Sequence, residues 1–86
     1  MSEKKLYEIL KEMVDSTEKN LPKTVKFLDV QFDAVAKKVF QAPRTELDLL
    51  YANCRQDCMM AFMIKDSYNK YAAKAKDKFS QIPKPD

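Results

Sequence analysis

The chain has 86 residues, with 16 Lys and Arg against 13 Asp and Glu for a net charge of +3, and it contains neither glycine nor histidine. Lacking histidine, it lacks the commonest general base and metal ligand, so the serines at positions 2, 16, 67 and 80 have no imidazole to activate them; no catalytic, cofactor-binding or metal-binding residue is assigned, and an enzyme is not expected. Average glycine usage is about 7%, and its absence removes the usual residue of tight hairpins, phosphate-cradling loops and left-handed caps, leaving long helices and few connections as the expectation.

This length suits one domain with a modest core. The near balance of charge argues against a dedicated nucleic-acid binder, although residues 65–86 carry six bases against three acids and are the basic end of the chain. The longest apolar run, Met59 to Ile64, falls far short of the ~18 residues that cross a bilayer. The N-terminus has no apolar signal core, and Glu3, Glu8 and Glu12 speak against a cleaved transit peptide. A soluble intracellular protein, cytoplasmic by default, is expected.

The first helical pattern runs from about Glu3 to Lys19, with Leu6, Ile9, Leu10, Met13 and Val14 on one face and Ser2 as its N-cap. It ends at Asn20-Leu21-Pro22, because asparagine tolerates the left-handed cap and proline disfavours helical geometry in the residue before it. A second helix starts at Pro22 and reaches about Gln41, its seam formed by Leu21, Val25, Leu28, Phe32, Val35 and Val39. Ala42-Pro43-Arg44 makes a turn, and Thr45 with Asp48 resembles a capping box. Beyond it the helical pattern continues to about Gln81, giving a third helix of ~37 residues and ~55 Å. Residues 82–86, with two prolines, form an extended, mobile tail behind a single helical domain at 1–81.

The expected fold is all-α. Its form is an antiparallel helical hairpin of three helices whose first arm is broken at Pro22, with a compact three-helix bundle as the alternative. In the hairpin the acidic row Glu8, Glu12 and Asp15 faces the basic row Lys70, Lys74 and Lys78. Several apolar residues fall off the seams, which points to association with another helical subunit or with a second copy of the chain.

Cys54 and Cys58 lie one turn apart on an apolar stripe, where cysteines usually serve as inert core residues. The run Cys54-Arg-Gln-Asp-Cys58 resembles one half of the paired-cysteine signature of small, oxidatively folded proteins of the mitochondrial intermembrane space, which the resemblance would make the compartment. The second pair is missing, so that family's interhelical disulfides have no partner within this chain. A zinc site built from two such pairs across a dimer, and a thiol activated by Arg55, are the other chemistries open to these residues.

The expected function is therefore a non-enzymatic assembly or adaptor subunit, without a small-molecule substrate, that works by burying helix faces. The candidate contacts are Phe27, Val30, Phe40, Tyr51, Met59, Phe62 and Met63, with Lys70, Lys74 and Lys78 steering encounter by charge. The alternatives are a basic peripheral module that binds a membrane or nucleic acid through residues 65–82, and a small helical regulator of a larger enzyme.

Overall fold

The structure is a computed structural model that describes residues 3–40 and 45–85. The expected Ser2 cap and the turn at Ala42-Pro43-Arg44 lie outside the described residues. Within them the chain is all-α, without strands, and forms four helices: α1 (Glu3–Glu18), α2 (Pro22–Val39), α3 (Glu46–Met63) and α4 (Tyr68–Ser80).

The expectation of three helices, as either a long hairpin or a compact bundle, is overturned by a break after Met63 that divides the last helical stretch. A ~55 Å helix has no place in a molecule whose longest dimension is 35 Å. The reversal needs neither proline nor glycine. Ile64 leaves the helix in an extended conformation while its N–H still bonds the Met60 carbonyl at 3.0 Å. Asp66 then adopts φ 67°, and the Ser67 N–H closes the turn on the Ile64 carbonyl at 3.2 Å. Aspartate is among the few non-glycine residues that visit this left-handed region readily. Asp66→Ala is expected to lower stability by about 1 kcal/mol while Asp66→Gly is tolerated, and urea unfolding of the two variants checks it.

The break at Asn20 follows the sequence expectation. Asn20 has φ 58°, the Leu21 N–H reaches back to the Ser16 carbonyl at 2.9 Å, and the Asn20 N–H to Thr17 at 3.1 Å. This is the double reverse hydrogen bond of a Schellman cap, which satisfies carbonyls the last turn would otherwise leave bare. At the start of α3 the capping box is complete: the Asp48 N–H donates to Thr45 Oγ1 at 3.1 Å and the Thr45 N–H to Asp48 Oδ2 at 3.3 Å.

Each helix packs on the next, α4 closes the circle against α1, and the α1–α3 diagonal is also in contact, whereas α2 and α4 do not meet. Contacts at both ends show that neighbours run antiparallel. Phe40 meets Tyr51 and Asp29 meets Arg55 across α2 and α3, and Phe62 meets Tyr68 while Cys54 meets Ala75 across α3 and α4. The core takes Leu6, Ile9, Leu10, Met13 and Val14 from α1, Val25, Leu28, Phe32 and Val35 from α2, and Tyr51, Cys54 and Cys58 from α3. Ile82 lies beyond α4 but is buried in the same cluster, its N–H bonded to the Phe79 carbonyl at 3.0 Å. The tail expected to be mobile from residue 82 is therefore anchored at its first residue.

Candidate interaction surface

Helix α3 carries apolar residues on two opposite sides. Its inner face carries the buried Tyr51, Cys54, Cys58 and Ala61. Its outer face carries Leu49, Ala52, Gln56, Met59, Met60 and Met63, spaced three and four apart. A surface helix ordinarily confines its apolar residues to the one stripe that faces the core. Leu49 is nonetheless 48% exposed and Met63 71% exposed, among the largest exposures of any large hydrophobic side chain in the fold. Ala52, Met59 and Met60 are half-buried, and Asn53 and Gln56 are exposed.

The row from Leu49 to Met63 is itself uncharged, with Arg55 at its edge, in a chain where 34% of residues are charged. The charged residues of α3 are Glu46, Asp48, Arg55 and Asp57, and all but the first are held elsewhere. Asp48 is committed to the cap. Asp57 is buried and meets Lys78 of α4 at 2.6 Å. Arg55 reaches across to α2, where its Nε bonds Asp29 Oδ1, its Nη2 lies 3.3 Å from Asp29 Oδ2, its Nη1 lies 3.7 Å from Asp33, and its guanidinium sits 5.4 Å from the centre of the Phe32 ring. The hydrogen bond that Arg55 donates to Asp29 pushes the guanidinium further toward its protonated form. Ala52, Arg55, Gln56 and Met59 line a shallow groove of about 330 Å³ on this side of the helix.

The sequence-expected contact residues do not converge on one surface. Met59 and Met63 fall on the outer face of α3. Phe62 lies at its edge, half-buried, with its ring 5.2 Å from that of Tyr68. Tyr51 is completely buried, with Phe40 packed edge-on against it at 5.5 Å. The Tyr51 ring is not placed to reach a partner, while Phe40 is half-buried. Phe27 and Val30 are 64% and 69% exposed on α2, Phe27 at the rim of a separate groove it shares with Leu21, the α1 side chains Glu12 and Asp15, and Lys19 just beyond α1. Lys70 and Lys74 are exposed and flank the Tyr71 ring at 5.7 and 5.3 Å.

The acidic and basic rows of the hairpin register do not meet as expected. Lys78 pairs with Asp57, and Lys76 pairs with Glu18 at 3.5 Å. Leu49, Ala52, Gln56 and Met60 were not expected as contacts, although their spacing is legible: they form a second helical row opposite the one that fills the core.

The cysteines belong to the interior. Both are buried and unoxidised, and the Cys54 thiol donates to the Ala75 carbonyl at 3.2 Å. The hydrogen bond it shares with Cys58, and then burial, raise Cys54 well above the usual thiol range, which keeps it protonated and unreactive. Arg55 points at the carboxylates of α2 and gives this thiol no activation. Among the described residues no group of three or more His, Cys, Asp or Glu is arranged to hold a metal ion. No helix among them is long and apolar enough to cross a membrane. No family model matches the chain, and no curated protein or solved structure is found to resemble it.

Proposed function

We propose that the protein is a non-enzymatic interaction module, a structural or adaptor subunit, whose mechanism is burial of the outer face of α3 against another helix. The observation that carries this reading is the uncharged strip from Leu49 to Met63, which stays open to solvent while the charged residues at positions 48, 55 and 57 are drawn into caps and ion pairs. Interface centres are depleted of charge and enriched in methionine, whose flexible thioether side chain adapts to irregular surfaces. Completing the burial of side chains such as Leu49 and Met63 contributes roughly 1–2 kcal/mol each, to be set against the entropy lost on association.

Leu49→Asp and Met63→Asp place charge on the face without touching the core, so thermal unfolding should move little, by roughly 0.5 kcal/mol or less. Association, read as native mass by light scattering or as capture of a helical partner, should be lost. Unchanged association in both variants would rule this face out. The basic-module alternative draws less support from residues 65–82, because Lys76 and Lys78 are engaged within the fold. The two readings part on salt, since phosphate binding weakens steeply with ionic strength and apolar helix packing does not.

A further inference from the structure

Helix α2 carries a second exposed face, whose chemistry differs from that of the α3 row. At about 3.6 residues per turn, the buried Val25, Leu28, Phe32 and Val35 mark its core side. The ridge opposite them holds Lys23, Lys26, Lys37 and Lys38, with Phe27, Val30 and Ala34 set among the lysines, all of them exposed. The nearby acids stand at its sides. Asp29 accepts from Arg55 and Asp33 lies 3.1 Å from Lys37, while Glu12 and Asp15 line the groove on the α1 side of Phe27. Lys23, Lys26 and Lys38 have no ion pair among the described residues. We infer that this ridge docks the protein on an anionic lipid surface, with α2 lying in the plane of the membrane. None of its residues belongs to the α3 row, so the inference stands apart from the reading of that row.

The mixture of side chains selects this partner. Phosphate alone accounts for the lysines but leaves the strongly exposed Phe27 and Val30 in water, so a nucleic acid satisfies only part of the face. The centre of a protein interface is depleted of lysine, because an ammonium buried there loses its hydration. A bilayer surface offers both environments in layers. Phenylalanine and valine enter the boundary between headgroups and acyl chains, while the flexible lysine stems carry their ammoniums back to the phosphates. The four lysines span about 22 Å of helix, enough to engage several headgroups at once, and the negative potential of such a surface draws in a chain of net charge +3. The first turn of α2 adds to the attraction. It has no acid and no side-chain cap, so its backbone N–H groups present the positive end of the helix dipole beside Lys23. At the same end Leu21 and Pro22 line a groove of about 270 Å³, which extends the insertable apolar surface beyond Phe27.

Vesicle binding tests the assignment. The full chain should sediment with vesicles of mixed phosphatidylcholine and phosphatidylserine, stay in solution with phosphatidylcholine alone, and detach as salt is raised. Lys23→Glu combined with Lys26→Glu should weaken binding by at least about tenfold, and Phe27→Ser by about tenfold. These positions are exposed, so the variants keep their fold, checked by circular dichroism. The chain contains no tryptophan, so Phe27→Trp supplies a single indole. Its emission should move to shorter wavelength on the anionic vesicles and stay unshifted with duplex DNA or polyglutamate. No sedimentation with the anionic vesicles, an equal loss from Lys70→Glu combined with Lys74→Glu on α4, or an indole that stays in water while DNA or polyglutamate binds as tightly as the vesicles would each overturn the docking of α2. Leu49→Asp should leave vesicle binding intact, and loss in that variant would move the lipid contact to α3 and overturn it as well.

Discussion

Tyr51→Ala is expected to destabilise the fold by about 4 kcal/mol, whereas Tyr51→Phe should stabilise it by about 1 kcal/mol. The contrast comes from two properties of one side chain. The ring is fully buried between helices and packs on Phe40, so truncation to alanine opens a void that its neighbours fill only in part. The hydroxyl is buried, and among the described residues it has no hydrogen-bond partner to offset the loss of its hydration. Removing the oxygen alone removes that penalty and leaves the packing.

A pH signature accompanies Tyr51. Burial, then the nearby Glu3 and Tyr7, raise its ionisation above the ordinary tyrosine value, which is about 10. A group whose folded value is raised contributes fully below the unfolded value and loses that contribution as pH rises beyond it, because the unfolded chain then releases its proton first. Stability should therefore decline above pH ~10 more steeply in the unmodified protein than in the Tyr51→Phe variant. Denaturant titrations at a series of alkaline pH values measure the difference, and identical slopes would show that the phenol is not held in its neutral form.

Lys78→Met should cost about 3 kcal/mol, at the lower end for breaking a buried pair because the lysine side chain keeps one-third of its exposure. Asp57 is the reason for the size of the effect. Its carboxylate is only 9% exposed and meets the Lys78 ammonium at 2.6 Å, so without that ammonium it becomes an unpaired charge in the interior. Adding Asp57→Asn to Lys78→Met should recover most of the loss, since the double variant buries a neutral amide in place of an unpaired anion. Chemical denaturation of the two single variants and the double variant gives the coupling directly. Strict additivity would mean that the two groups act independently.

The helical periodicity of the first half of the chain was legible because its breaks are chemically loud. Asn20 and Pro22 end one helix and start the next, and Thr45 with Asp48 builds a cap that the backbone geometry reproduces. The second half misled because its break is quiet. Ile64-Lys65-Asp66-Ser67 contains no proline or glycine, and its turn rests on one aspartate that tolerates positive φ, with Ser67 at the N-cap position making no side-chain capping bond. That single omission converted a fourth helix into a long extension and, with it, the register of every charged row on α4.

The contact residues divided for a related reason. Periodicity separates the seam of a helix from its remainder, but α3 is apolar on both sides, and Tyr51 was assigned to a partner although it belongs to the core. Asp29, unremarkable in sequence, gains a role only because Arg55 arrives from another helix, whereas Asp33 pairs with Lys37 one turn on at 3.1 Å and lies 3.7 Å from the same guanidinium.

Helices α2 and α4 never touch, while α1 and α3 touch each other and both of these. The molecule is thus a two-helix spine with one helix laid along each flank. Either flanking helix can loosen without pulling on the other, because no direct contact transmits the movement. A disturbance of the spine, by contrast, is felt on both flanks at once. A partner that grips α3 therefore holds the spine itself, and its arrival would quieten the slow breathing of the whole bundle more than that of the helix it covers.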